Sequence, residues 1–279
     1  MADPEQLLEQ ALALGDEGRW DEMAQLLDTG LRDAPDDPYL LCWLAVAERE
    51  LDHEGAAYDL FKRCLAQDPL DPQLLALAGA GLAVFDDPDA EAALRAAALT
   101  GPDLPLTRLQ YGAYLAREGF FEEALEHLRA AVALAPDDPT MYGELGAAFA
   151  LKGDHAGAIE AMEEALELAP DDSWTRVLVG LLYVERGDLE GAAEALLQAS
   201  RERADDGEAH VLAALAACAA GWSDAAQDAL ARAGFAEGLD AQLLHDAEER
   251  ITEGAEMAHA FLRDTVAPAA LHDRLIQPL

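Results

Sequence analysis

Asparagine is absent from this sequence of 279 residues, lysine occurs only at Lys62 and Lys152, and isoleucine only at Ile159, Ile251 and Ile276. Cysteine is confined to Cys42, Cys64 and Cys218. Three widely spaced thiols give neither a disulfide framework nor a zinc pair, so they read as small packing residues. The only serines are Ser173, Ser200 and Ser223, none in a Gly-x-Ser-x-Gly turn, which leaves no activated nucleophile. The longest mainly apolar stretches, Leu74 to Phe85 and Val211 to Ala220, fall short of the roughly 18 to 20 residues a membrane span needs. The opening Met-Ala-Asp-Pro-Glu-Gln lacks a basic region followed by an apolar core, so no secretory signal is expected. These absences predict a cytoplasmic protein.

Positive charge is scarce as well. Against 56 acidic residues stand 18 Lys and Arg, a formal net charge of −38. Such a surface repels phosphate backbones and anionic leaflets, which argues against nucleic acid and membrane as partners. A basic protein is the natural complement; the alternative is an acidic shell that serves solubility alone. The low lysine and absent asparagine fit a GC-rich bacterial genome or, equally, a salt-rich cytoplasm in which self-repulsion is screened.

Chemistry finds no constellation to carry it. The histidines at 53, 127, 155, 210, 245, 259 and 272 lack the His-Glu-x-x-His spacing, so no metal is expected. Gly79-Ala80-Gly81 sits in a helical register with no strand before it, which removes the phosphate-loop reading. Carboxylate pairs such as Glu122-Glu123 and Glu163-Glu164 occur with Glu126, Glu160, Glu167 and Glu194 in helical stretches, where a solvated charge run is expected and unperturbed carboxylates make poor acids at neutral pH. The sequence therefore predicts no catalytic residue, no cofactor and no enzyme.

What the chain does have is a period. Pro35, Pro69, Pro102, Pro136 and Pro170 recur at 33 or 34 residues, mostly in Ala/Asp-Pro-x-Asp-Pro. A period of this length implies stacked helical hairpins. Ending each unit two residues after its proline gives 4–37, 38–71, 72–104, 105–138, 139–172 and 173–206, then 207–238 with a weaker signal. The eighth place is always small (Ala11, Ala45, Gly79, Gly112, Gly146, Gly180, Ala214), as is the 27th. The 24th is always large and apolar (Leu27, Phe61, Leu94, Leu128, Met162, Leu196, Leu230). Small places let paired helices approach and large ones fill the space between them. Gly18, Gly119, Gly153, Gly187 and Gly221 mark the ends of first helices. Asp37-Pro38, Asp71-Pro72 and Asp138-Pro139 mark N-caps followed by a first helical proline.

The clearest unit, Tyr142-x-x-Leu145-Gly146-x-x-Phe149 followed by Ala158, Met162, Ala165 and Pro170, resembles the tetratricopeptide repeat. The resemblance covers 4 to about 238 and implies an all-α, right-handed α-solenoid of about seven helix-turn-helix repeats with a concave peptide-binding groove. The family's groove places fall on Tyr39, Trp43, Val46, Arg49, Leu109, Arg117, Trp174, Val177, Leu178, Leu181, Leu212 and Leu215, a mainly apolar wall. Relatives that grip a terminal carboxylate use Lys, Arg and Asn there, and this chain has no Asn and neither Lys at those places. Arg49 and Arg117 could each hold one anionic group.

Beyond the period, Leu239 to Arg263 carries apolar residues at helical spacing, and 239–267 reads as a C-terminal capping helix. The tail, 268–279, is amphipathic through Leu271, Leu275, Ile276 and Leu279 but too short to be a stable helix without a surface to pack on. The expected function is a non-enzymatic adaptor or scaffold, a chaperone or assembly factor among its forms, that holds a helix or extended segment of a protein with basic flanks. The alternative is a structural module whose tail occupies its own groove or that of a second copy, giving an autoinhibited monomer or a homo-oligomer.

Overall fold

A computed structural model describes residues 4–236 and 238–276; Glu237 and the last three residues of the 268–279 tail, Leu279 among them, lie outside. Every regular element among the described residues is helical. The chain divides into two compact units, Met1–Leu134 and Ala135–Leu279.

The first unit is a succession of hairpins: α1 (Pro4–Asp16) with α2 (Trp20–Asp33), α3 (Pro38–Glu50) with α4 (Glu54–Leu65), α5 (Pro72–Ala83) with α6 (Asp89–Thr100), and α7 (Pro105–Arg117) with α8 (Phe121–Leu134). The acid–proline steps act as starts. Asp37 accepts from the backbone N–H of Tyr39 (2.9 Å) and Leu40 (3.2 Å), and Asp71 from that of Gln73 (2.8 Å), so part of the acid surplus goes into capping. First helices end where place 15 turns left-handed. In this unit that place is filled by Gly18 and Gly119, but also by Asp52 (φ 60°) and Asp86 (φ 52°), which the glycine pattern does not mark. Aspartate tolerates this region better than most residues, so the hairpin turn survives the loss of glycine.

The second unit continues in the same manner with α9 (Pro139–Lys152) and α10 (His155–Leu168), α11 (Ser173–Arg186) and α12 (Leu189–Glu202), and α13 (Gly207–Ala219) and α14 (Ser223–Ala233). Asp172 and Asp206 cap α11 and α13 without a proline after them, accepting from Thr175 and Ala209.

The small and large places interlock in both units. A methyl group on Gly112 would lie 2.7 Å from Leu128 Cγ, on Gly146 2.5 Å from Met162 Cγ, and on Gly180 2.6 Å from Leu196 Cγ. Each glycine is thus the hole for its own hairpin's knob. Leu230 departs from the series, being only half-buried where the other six are fully buried.

One tie was invisible in the sequence. The fourth-place side chain of several units turns back to the carbonyl six residues earlier: Arg108 donates to Pro102 O (3.0 Å), Arg176 to Pro170 O, and His210 Nε2 lies 3.2 Å from Ala204 O. These bonds satisfy loop carbonyls that the terminated helix leaves unpaired. Arg176 is buried and completes its charge balance on Glu202 at 2.5 Å.

The C-terminal segment differs from the single helix expected over Leu239–Arg263. Gly254, at φ 117° and ψ 179°, breaks it into α15 (Ala241–Glu253) and α16 (Ala255–Phe261). The chain then runs through a π-helical stretch, Leu262–Val266, into α17 (Ala267–Ile276) without leaving the helical path. Pro268 lies inside this run. Its ring removes one donor from the ladder, and the widened turn just before it, where Ala267 N–H reaches Leu262 O, accommodates the defect.

Candidate protein-interaction site

In the first unit the first helices lie side by side and present one wall. That wall is α1, α3, α5 and α7. Leu8, Leu12, Trp43 and Leu77 on it are only half-buried, and Tyr39 is 41% exposed. The Tyr39 hydroxyl donates to Asp71 (2.9 Å); that bond, reinforced by burial, pushes the phenol above its ordinary range and fixes the ring at the start of α5. Val46 and Leu109 are buried in the wall itself. Arg49, part-exposed at the end of α3, lies 3.2 Å from Glu50, and Arg117 is exposed at the end of α7. The expected residues of this unit therefore split into an accessible aromatic and aliphatic strip around Trp43 and a structural pair beneath it.

In the second unit the same places are closed. Val177, Leu178, Leu181, Leu212 and Leu215 are all buried, and Trp174 is half-buried. The cover is the chain's own C-terminal run: α16 packs on α13, the π-helical stretch on α11 and α13, and α17 on α11 and α9. Ala267, Ala270, Leu271, Arg274 and Leu275 form the buried face of α17. They follow i, i+3, i+4, i+7, i+8 spacing, one stripe of a helix. The apolar members, with Leu262 and Val266, join the core that contains Leu181, Leu212 and Leu215.

Arg274 is the polar centre of this contact and is only 7% exposed. Its guanidinium reaches Glu208 at 2.5 Å, donates to Ala270 O at 3.3 Å, and lies 5.4 Å from the centre of the Trp174 ring. Arg203 approaches the same ring at 5.9 Å and pairs with Asp206 at 3.4 Å. A ring flanked by guanidinium groups, with carboxylates beside them, is a built cation site. The sequence reading names Trp174 but neither Glu208 nor Arg274. The available signal was Arg274 lying between Leu271 and Leu275 on the tail's apolar stripe, where a solvated charge does not belong.

The remaining candidates are structural. Glu122, Glu123, Glu126, Glu160, Glu163, Glu164, Glu167 and Glu194 lie on second helices, all of them exposed. Glu163 accepts from the Tyr183 hydroxyl at 2.5 Å, which pushes that phenol up to about 12. Cys42 and Cys64 are buried across the α3/α4 hairpin, and Cys218 is buried in α13. The close Cys64 sulfur and burial push the Cys42 thiol well above its usual range, consistent with a packing role. Among the described residues no group of three or more His, Cys, Asp or Glu could hold a metal ion, and no helix is long and apolar enough to cross a membrane.

Sequence profiles of the tetratricopeptide repeat match residues 8–72 and 112–173, and a second profile of the same repeat matches 149–218. No curated protein matches the chain by sequence. Among solved structures, the APC/C hetero-tetramer Cut9-Hcn1 aligns with a TM-score of 0.71 at 20% identity, over 90% of this chain and 49% of that one. This chain thus spans about half the length of that relative. TTC0263, described as a thermophilic tetratricopeptide repeat protein of Thermus thermophilus, aligns at 27% identity with a TM-score of 0.52, over 62% of this chain and 95% of that one. The C-terminal part of a repeat-containing protein from Cytophaga hutchinsonii aligns at 16% identity with a TM-score of 0.52, covering 85% and 98%. Profile matches that fall on the measured period, helices paired as that period requires, and glycine holes filled by their own knobs agree: the chain belongs to the tetratricopeptide repeat family.

Proposed function

We propose that this protein is a non-enzymatic adaptor that holds a segment of another protein against its walls of first helices. The observation that carries this reading is the strip around Trp43 in the first unit. Apolar and aromatic side chains stay part-exposed there, on helices that pack side by side, while Leu178, Leu181, Leu212 and Leu215 of the second unit are buried. Apolar surface left accessible at a recurrent place of a repeat wall is what a hydrophobic ligand face requires. The charge of −38 favours basic flanks on that ligand, through steering and rim contacts. A cytoplasmic chaperone or assembly factor is one form of this adaptor, and the composition suits a GC-rich bacterium or a halophile alike. The test is titration of the full chain with two amphipathic helical peptides of one apolar sequence, one with Lys/Arg flanks and one with Asp/Glu flanks. The basic peptide binds with an affinity that falls as salt rises, the acidic one does not, and Trp43→Glu abolishes binding. Equal affinities for both peptides, or binding indifferent to Trp43→Glu, would remove the reading.

A second reading rests on its own observation. The packing of α17 on α11 and α9 supports a tail that occupies its own wall, so that the second unit is autoinhibited while the first is open. Within that reading a second copy exchanging the same helix gives a homo-oligomer.

A further inference from the structure

The contact of α17 with the second unit has the form of a complex rather than of a repeat. α17 lies outside the period, closes the continuous helical run that begins with α16, and buries one stripe against the array. What it docks is specific. A stripe of small and branched apolar residues meets α11, and one arginine sits between the Trp174 ring and the Glu208 carboxylate.

The wall's half of this cation site belongs to the repeat array. Trp174 and Glu208 are the second-place residues of successive units, whereas the cation comes from the last turn of α17. Glu208 keeps 39% of its side chain exposed with Arg274 in place, so the pair fixes the register of the docked helix more than it relieves a buried charge. The resident contact is incompletely satisfied, because Arg274 Nε is buried with no hydrogen-bond partner among the described residues. An occupant from outside whose arginine also paired its Nε would compete with α17 on favourable terms.

We propose that the wall formed by α9, α11 and the start of α13 is a binding site for an amphipathic helix with the pattern small-x-x-small-Leu-x-x-Arg-Leu, and that α17 is its resident stand-in, displaced when a partner helix of that pattern binds. This rests on the reading that the walls of first helices hold protein segments, and it adds the partner's chemistry and the condition for its entry. Trp174 and Glu208 are the specificity-determining residues: a lysine in place of the arginine keeps the charge but loses the planar stacking and the fork.

The test uses the full chain and, as probe, a fluorescent peptide of residues 255–276. Arg274→Glu places a carboxylate against Glu208 and releases α17 from its own wall. The peptide then binds this variant about ten- to a hundredfold more tightly than it binds the wild-type chain. The same peptide carrying Arg274→Glu does not bind the variant. Hydrogen exchange at 267–276 accelerates in Arg274→Glu and slows again in the charge-swapped pair Glu208→Arg with Arg274→Glu, which shows the array still folded and rejects the native peptide. Equal affinity of wild type and Arg274→Glu for the peptide overturns the proposal, as does unchanged exchange at 267–276. A doubled mass of the wild-type chain in light scattering, lost in Arg274→Glu, assigns the site to a second copy and overturns displacement by a partner. Any of these failures leaves the Trp43-dependent binding of basic peptides unaffected, whereas loss of that binding alone leaves the displacement result standing.

Discussion

An alanine at Gly180 would bring its methyl group to 2.6 Å from Leu196 Cγ and 2.9 Å from Cδ2, while the nearest backbone atom, Leu196 N, stays at an ordinary 3.4 Å. Two opposing effects follow. Gly180 is in the interior of α11, so alanine gains about 1 kcal/mol of helix propensity. Forcing the fully buried Leu196 off its seat costs about 1 to 3 kcal/mol. Gly180→Ala should therefore be neutral to about 2 kcal/mol destabilising, taking the difference of those estimates. Leu196→Ala by itself removes the knob and costs about 2 to 5 kcal/mol. In that background the obstruction is gone and only the propensity gain is left, so Gly180→Ala should now stabilise by about 1 kcal/mol. The sign inverts, and the coupling between the two sites is about 1 to 3 kcal/mol. Urea denaturation followed by circular dichroism reads it as midpoints at constant slope for the four proteins of the cycle. If Gly180→Ala destabilises equally in both backgrounds, the interlock of eighth and 24th places does not hold these hairpins together.

Two further outcomes follow from single groups. Arg108 Nη1 donates to His127 Nδ1 at 3.2 Å and the imidazole lies edge-on to Tyr111 at 4.9 Å, so the folded state needs the ring neutral; burial first, then the Arg108 charge, lower its affinity for a proton. The unfolded chain therefore takes up the proton first, near the ordinary histidine value of about 6.5, and the stabilisation present above that pH is lost as pH falls toward the lower folded value. His127→Gln should show a smaller drop in melting temperature than wild type between about pH 7.5 and 5.5, the range around that ordinary value, and parallel curves would reject the assignment. At place 15, Asp52→Gly should stabilise the α3/α4 hairpin by up to about 1 kcal/mol, because glycine takes φ 60° without the Cβ conflict. A fall in the denaturation midpoint would show that the aspartate is there for another reason.

The fold was legible because its determinants recur. Gly112, Gly146 and Gly180 face Leu128, Met162 and Leu196 in one register, and a pattern copied at a fixed interval averages away the noise of any single unit. Asp52 and Asp86 were missed because a left-handed residue other than glycine leaves no mark in composition. The fourth-place ties escaped for a different reason: Arg108, Arg176 and His210 share a donor, not a residue type, and a donor's target is set by where the loop carbonyl points. The break at Gly254 and the passage through Pro268 run against ordinary punctuation. There a glycine ends one helix inside an apolar period, and a proline is carried along because the π-helical stretch absorbs its missing donor.

The site was half legible, and the missing half is instructive. Groove places assign Trp43 and Leu178 the same role, since both stand sixth in their units, yet one is part-exposed and the other buried. The helix packed on α11 lies outside the period, so the 34-residue pattern cannot announce that cover. The second places carry the chemical distinction. Trp174 in the second unit has its face on a guanidinium, with Glu208 aligned to neutralise it, whereas Tyr39 in the first unit has its hydroxyl bound to Asp71. A tyrosine committed to a carboxylate offers an apolar edge and a negative rim, but no carboxylate set to pair an arginine lying on its ring. The two walls should therefore discriminate between ligands that the shared repeat alone would treat alike: the first takes an apolar segment with cations at its ends, the second a helix with an arginine within its apolar stripe.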